Sequence, residues 1–334
     1  METPFPVSVC IISYNQVEYI ASVIEGCLNQ KTDFRYEILI SDDCSTDGTG
    51  EIIESFRRKH PNIIRVLDNS QNVGLLNNFD RAIRACKGEY IGYCEGDDIW
   101  IDPNKLQEQY ILLRSNPSIS YVSGSWTDFH VSQHLYTQRP YTRLTITNDN
   151  TDPFSPERLN PHGSLSLRFS SIFFRREMVI DILDSEYDLF HNPKYMSNDY
   201  SLQMELLKRG GDIFIDRPLV LYNQREESVS ISTNPMRHFL YSLGTTSGKA
   251  HLFAKYKVSK HIIQNYFRHR ITYLLLSIIE LKQEEKLTEL EQIINLLGYK
   301  LTLSQIVLCW SADKGWIGKG LVLVRSIVQK LFRL

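Results

Sequence analysis

No stretch of the 334-residue sequence approaches the roughly 20 consecutive apolar residues that a membrane-spanning helix needs. The first residues lack a basic n-region followed by an apolar h-region; Met1 runs almost directly into a strand-like segment at Val7. A secretion signal is therefore not expected, and a cytoplasmic protein, or one held to the cytoplasmic face of a membrane, is. Net charge is nearly absent: Lys+Arg 37 against Asp+Glu 39 leaves −2, so there is no overall basic field to neutralise phosphates and nucleic acid is not an expected partner. The six cysteines form no CxxC and no ladder of short spacings, which argues against both a zinc site and a disulfide framework. Cys10 and Cys94 lie inside apolar runs, as buried free thiols of a reducing compartment do. Internal repeats and low-complexity tracts are also missing. What remains is an ordinarily globular composition, 42% hydrophobic and 23% charged, long enough for a large domain with a smaller partner.

The first hundred residues alternate strand-like and helix-like segments. Val7 to Ser13 is a continuous apolar run, as expected of a strand covered on both faces. Helical periodicity from Glu18 to Leu28 precedes a strand at Tyr36 to Ile40 and a helix from Thr49 to Lys59. A strand at Ile63 to Leu67, a helix from Leu75 to Cys86 and a strand at Tyr90 to Cys94 follow. This βαβαβαβ rhythm predicts an α/β fold with a mainly parallel, doubly wound sheet and helices on both faces. Pro103 marks a helix start, with the helix running to Ser115; Ile119 to Thr147 reads as strands, Asn148 to Gly163 as a loop, and Leu165 to Phe174 as another strand. A short helix at Met178 to Leu183, a helix at Asp199 to Arg209 closed by Gly210-Gly211, and strands from Ile213 to Tyr222 complete the pattern. Beyond Asn234 only helical periodicity remains. The expected division is a catalytic domain over 1–234 and a helical region over 235–334.

The strand at Tyr90 to Cys94 ends in Glu95-Gly96-Asp97-Asp98, three carboxylates within four residues. Acids this close repel unless a cation sits between them, and hard oxygen ligands suit Mg²⁺ or Mn²⁺, which in turn favour phosphate oxygens. If extended geometry persists past the strand, Glu95 and Asp97 point the same way and share one cation. The expected site is a metal-bound diphosphate at the carboxyl end of a strand, where open α/β sheets bind ligands.

Other strand ends add candidates at the same edge. Asp42 and Asp43 follow the second strand, where a carboxylate can accept from a nucleotide base or ribose; Asp47 reads instead as a cap for the next helix. Ser13-Tyr14-Asn15 ends the first strand, with Tyr14 either flanking a base or simply packing. Asn72, Gly74 and Asn77, with Asn78 beyond, open the third helix, either as turn and cap or as amides facing the crevice. Asp199 begins a helix and is either its cap or a general base for an acceptor hydroxyl. Arg225, in a polar turn after the last strand, is either a diphosphate partner or a solvated surface side chain.

Taken together these segments resemble the inverting, nucleotide-sugar-dependent glycosyltransferases with the GT-A fold, often called glycosyltransferase family two. The matching pieces are Val7 to Asn15, Asp42 to Thr49, Asn72-Val73-Gly74, Gly88 to Ile91 leading into Glu95-Gly96-Asp97-Asp98, and Asn198-Asp199. They cover residues 5 to 230 in order. The resemblance implies that Asp42 contacts the base, that Asp97 with Glu95 or Asp98 binds ribose and the divalent metal, and that Asp199 is the catalytic base. It implies single displacement at the anomeric carbon with inversion. The chain departs from the family pattern in carrying Glu95 where the usual motif has Asp, which moves that carboxylate by one methylene.

The implied activity is a hexosyl- or N-acetylhexosaminyl-transferase that uses a nucleotide-sugar donor, a UDP-sugar before dTDP or GDP sugars. The acceptor would be a glycan or lipid-linked oligosaccharide of a bacterial surface polysaccharide, contacted from Ile119 to Ser171. A nucleotidyltransferase is the enzymatic rival, but Ser13 to Ile20 contains no Gly-rich, basic loop to grip a nucleoside triphosphate. A non-catalytic sugar-nucleotide-binding subunit of a glycan assembly is the other. From Trp316 onward, Trp316, Ile317, Leu321, Leu323, Val324, Ile327, Val328, Leu331 and Leu334 share one helical face against Lys314, Lys319, Arg325, Lys330 and Arg333. Such a helix, expected over Ser311 to Leu334, suits a membrane surface; the alternatives are docking on the core or on a second subunit of a homodimer.

Overall fold

The computed structural model describes residues 5–67, 69–130, 135–138, 145–147, 154, 168–196, 199–224 and 233–313. They fall into two compact units, Met1–Asn192 with Asn198–Arg225, and Pro193–Ser197 with Glu226–Leu334.

The first unit is built on a mixed sheet. β1 (Val7–Ser13), β2 (Tyr36–Asp42), β3 (Ile64–Leu67) and β4 (Tyr90–Glu95) are parallel, joined through α1 (Ile20–Leu28), α2 (Thr49–Lys59) and α3 (Leu75–Ala85). All seven residues of β1 are buried, so both faces of this central strand are covered, which is why it reads as an unbroken apolar run. A turn after β4 leads to β5 (Asp98–Trp100), α4 (Lys105–Ser115), the long β6 (Ile119–His130), β7 (Leu135–Gln138) and β8 (Thr145–Thr147). Then come β9 (Phe173–Arg175), α5 (Arg176–Ser185), α6 (Tyr187–His191), α7 (Asp199–Arg209) and β10 (Gly211–Gln224). The strand order is β3-β2-β1-β4-β9-β6-β10-β5, with β7 on β6 and β8 on β10. β9 runs antiparallel to both β4 and β6, and β5 antiparallel to β10. The parallel half therefore follows the sequence rhythm, and the antiparallel insertions make the sheet mixed.

Several boundaries differ from the sequence expectation for local reasons. The segment read as one strand over Leu165 to Phe174 is instead a 3₁₀ turn at Phe169–Ser171 followed by the short β9. The Ser171 hydroxyl and amide both donate to the Arg168 carbonyl, at 2.7 and 2.9 Å, which diverts the backbone from the ladder. Asp102 Oδ1 accepts from the Asn104 amide at 2.8 Å, so α4 begins two residues past Pro103.

The second unit is helical. Its main helices are α8 (Pro235–Lys255), α9 (Lys260–Leu281), α10 (Leu287–Leu297) and α11 (Leu303–Asp313). Asn234 caps α8 by accepting from the amides of Met236 and Arg237, at 3.0 and 3.1 Å, and Pro235 occupies the first turn, where its missing N–H is harmless. Gly298, at φ 58°, ends α10 in the left-handed conformation. Phe239, Phe253, Phe267, Leu274 and Leu275 form its buried interior. Among the described residues no helix is long and apolar enough to cross a membrane. The basic amphipathic helix expected from Trp316 lies outside the described residues.

Candidate active site

The register of the parallel strands gathers the candidates. Ser13 pairs with Asp42, and Ile12 with Glu95, so the ends of β1, β2 and β4 meet at one edge of the sheet.

At this edge the carboxylates of Glu95, Asp97 and Asp98 offer oxygens that all lie within 4.8 Å of one another. They do not meet by strand alternation. β4 stops at Glu95, the chain turns through Gly96 and Asp97, and β5 leaves in a new direction from Asp98. The turn presses against the end of β1: a Cβ at Gly96 would sit 2.8 Å from the Ser13 Cβ and 3.0 Å from the Ile12 carbonyl oxygen, so only glycine lets the backbone approach this closely. Asn223 of β10 holds the turn by donating to the Asp97 carbonyl at 2.6 Å, and the Ser170 hydroxyl accepts from the Glu95 amide at 3.0 Å. Glu95, despite its extra methylene, reaches the same space as the two aspartates.

Burial pushes the Glu95 carboxyl well above the usual carboxylate range, and the charges of Asp98, Asp97 and Asp199 push it further, with Arg168 opposing. Asp98 is raised to about 8, by burial first and Asp97 second, against the Ser170 hydroxyl and Arg168. Asp98 is 1% exposed, yet its Oδ1 has no hydrogen-bond partner. An orphaned buried acceptor beside two further carboxylates makes an all-oxygen donor set, whose chemistry fits Mg²⁺ or Mn²⁺.

Asp199, the first residue of α7, is exposed; its Oδ1 accepts from the Tyr200 amide at 2.8 Å, and its charge acts on Glu95. Gln203, one helical turn on, donates to the Tyr121 hydroxyl at 3.1 Å and seats α7 on β6.

The other strand ends are laced together by short polar contacts. Asp42 Oδ1 accepts from the hydroxyls of Ser13 (2.7 Å) and Ser45 (2.6 Å), and its Oδ2 from the Ser45 amide at 3.0 Å. Asn15 takes the left-handed conformation at φ 54°, and its side-chain oxygen accepts from the Thr46 amide at 2.9 Å. Tyr14 beside it is 47% exposed, open to a flat ligand. Asp47 accepts from the Val17 and Thr49 amides, both at 3.0 Å, and closes the loop from below.

Asp43 is 3% exposed and accepts from the amides of Val73 and Gly74, at 2.8 and 2.9 Å. Asn72 donates to the Asp43 carbonyl at 3.0 Å. These two side chains tie β2 to the start of α3, where Gly74 takes φ 82°. Asn77 is exposed and donates to its own helix at the Val73 carbonyl, 2.9 Å away, while Asn78 turns inward onto Ser41. Arg225 and Asn198 lie outside the described residues.

Three residues at the cluster had no signal of their own in the sequence: Ser170, Asn223 and Arg168. The Arg168 guanidinium lies 3.5 Å from the Tyr222 ring centroid and 5.4 Å from that of Trp126, with Nη2 3.7 Å from Asp128 Oδ1. Arg and Ser within an expected strand look like surface and spacing residues; only the turn at Phe169–Ser171 brings them to the acids.

The family described as Glycosyl transferase family 2 matches residues 8–183, over half of the chain. An uncharacterized protein of Mycobacterium tuberculosis (strain H37Rv) is 42% identical over 110 residues, 33% of this chain and 32% of that one. The match therefore spans about a third of the length of such relatives. Chondroitin synthase from Escherichia coli is 35% identical over 117 residues, 35% of this chain and 16% of that one. Among solved structures, S. aureus TarS 1-349 in complex with UDP-GlcNAc superposes with a TM-score of 0.59 at 17% identity, covering 92% of this chain and 88% of TarS.

Proposed function

The chain belongs to glycosyl transferase family 2 and has a GT-A-type fold, and on that premise we propose that it moves a sugar from a nucleotide-diphosphate donor to a glycan hydroxyl with inversion at the anomeric carbon. The observation that carries this reading is the group Glu95, Asp97 and Asp98 at the carboxyl edge of the parallel strands, with the charge of Asp199 acting on it.

Glu95, Asp97 and Asp98 would hold Mn²⁺ or Mg²⁺. Once bound, the ion supplies positive charge to the departing diphosphate. Asp42 and Tyr14 line the base and ribose end, with Ser13, Asn15, Asp43, Asn72, Gly74 and Asn77 shaping the loops around them. Asp199, exposed at the start of α7, takes the proton of the acceptor hydroxyl as that oxygen attacks the anomeric carbon. Uridine is the favoured nucleoside because the TarS structure was solved with UDP-GlcNAc. A polysaccharide acceptor suits the likeness to chondroitin synthase, and a lipid-linked oligosaccharide is the alternative. The basic C-terminal segment would bring the enzyme to the cytoplasmic face of a membrane where such an acceptor is presented.

The test is turnover of a panel of sugar nucleotides with Mn²⁺, by wild type and by Asp199→Asn. The expected result is EDTA-sensitive transfer by wild type, and a variant that keeps donor affinity but loses at least about a hundredfold in turnover. Transfer by Asp199→Asn at the wild-type rate overturns the base assignment.

A further inference from the structure

The cluster holds two orphans of opposite kind. Asp98 Oδ1 is a buried acceptor without a donor, and Arg168 Nε is a buried donor without an acceptor. They belong to one neighbourhood. Tyr222, whose ring carries the Arg168 guanidinium, pairs directly with Asp98 in the β10–β5 ladder. Ser170, two residues past Arg168, accepts from the Glu95 amide at 3.0 Å, and its carbonyl accepts from Trp100 Nε1 at 2.9 Å. Arg168 is itself anchored by its carbonyl, which receives the Ser171 amide and hydroxyl.

If Arg168 served only to neutralise the three acids, its Nε–H would point at one of them. Instead its ion-pair contact is Asp128, at 3.7 Å, and Asp128 is already taken by Trp126 Nε1 at 3.1 Å. The Tyr222 and Trp126 rings hold the guanidinium plane in place while the side chain keeps 28% of its surface exposed. The exposed surface belongs to atoms other than the buried Nε, and a held, partly open guanidinium suits a phosphate oxygen. A metal-chelated diphosphate offers a cation to Asp98 and an anion to Arg168.

We propose that Arg168 is the protein's own ligand for the terminal phosphate of the donor's nucleoside diphosphate, the phosphate that leaves with the nucleotide. This rests on the reading of the carboxylate group as a donor site. It gives Arg168 a selectivity role: beyond the ion the carboxylates would hold, it favours diphosphates over monophosphates, which the base-binding loops do not.

Calorimetry on the Mn²⁺-loaded full chain tests this, using whichever of UDP, GDP and dTDP wild type binds most tightly, against its monophosphate. Arg168→Gln is expected to weaken diphosphate binding about tenfold to a hundredfold, the loss of a charge-assisted hydrogen bond, and to change monophosphate binding less than about twofold. Arg168→Lys keeps the cation and its aromatic contacts but lacks the planar fork, and falls between; if Arg168→Gln does not fold, this variant alone decides. Unchanged diphosphate affinity overturns the inference, as does an equal loss for both nucleotides, which would mark a merely structural residue. Wild type that binds none of these nucleotides overturns the donor site itself, and the inference with it.

Discussion

The hydroxyl of Ser13 donates to Asp42 across the ends of β1 and β2, 2.7 Å apart and directly paired in the strand register. The bond aligns two strand ends whose loops carry most of the candidate nucleotide contacts. Ser13→Ala should cost about 1 kcal/mol of stability and raise the donor KM a few-fold, since Ser45 still donates to Asp42. Asp42→Ala removes the acceptor of three bonds at once and should raise KM by tenfold or more. A steady-state comparison of the two variants checks the order; a larger effect from Ser13→Ala would mean that Asp42 does not organise the loop.

Asp98 gives the metal-free protein a characteristic pH dependence. Its carboxyl titrates at about 8 in the fold against 3.8 ordinarily, so between those values the folded protein holds a proton that the unfolded chain has released. Stability without metal should therefore fall as pH rises from 4 to 8, by a few kcal/mol in total. Mn²⁺ bound there would take the place of the proton, and its stabilising effect should then grow over the same window. Urea unfolding in EDTA and in Mn²⁺ at pH 5 and pH 8 measures both, and Asp98→Asn should make the metal-free profile shallower, Glu95 supplying what remains. A metal-free slope that persists unchanged in Asp98→Asn would assign it elsewhere.

Gly96 is fixed by sterics rather than by backbone conformation. Adding one methyl puts a carbon 2.8 Å from the Ser13 Cβ, and neither strand end can yield without moving the acids. Gly96→Ala should destabilise the protein by about 1–3 kcal/mol and weaken Mn²⁺ binding by more than that loss of stability explains. Thermal melts paired with Mn²⁺ titration separate the two effects; normal Mn²⁺ affinity would show that the turn tolerates displacement.

Beneath the site, Lys105 is fully buried, its Nζ 3.7 Å from the Trp100 ring centroid and 2.8 Å from Gln109 Oε1. Burial lowers its pKa from 10.5 to about 7. Above that value the folded protein carries the neutral amine while the unfolded chain stays protonated, so this group makes stability rise with pH from about 7 to 10.5. Lys105→Met should abolish that rise and be at least as stable as wild type at pH 6.5, where the lysine carries a buried charge. Urea unfolding of both proteins at pH 6.5 and 9.5 tests the sign. A variant much weaker than wild type at pH 6.5 would mean that the contacts with Trp100 and Gln109 outweigh the cost of burial.

The alternation of apolar runs and helical periodicity through the first hundred residues is a local property, and it was enough to mark β1 to β4 and the helices between them. The three acids were legible for the same reason: carboxylates directly after a buried strand conflict with folding unless a ligand is involved. Their mode of assembly was not legible. Period-two alternation would align Glu95 with Asp97, whereas the turn at Gly96 brings in Asp98 as well, because that turn depends on contact with Ser13, over eighty residues away in sequence.

The sequence by itself determined the parallel core, the edge of the sheet where ligands collect and the kinds of side chain waiting there, since each follows from near-neighbour patterns. Tertiary structure alone decided how those side chains are used. It engages both oxygens of Asp43 with the start of α3, turns Asn78 inward and Asn77 out, and draws Arg168 from an apparent strand onto Tyr222 beside the acids. Apart from Asn77, which bonds the Val73 carbonyl four residues back, these outcomes depend on hydrogen bonds and ring contacts between residues roughly thirty to fifty-five positions apart, and no local period encodes them.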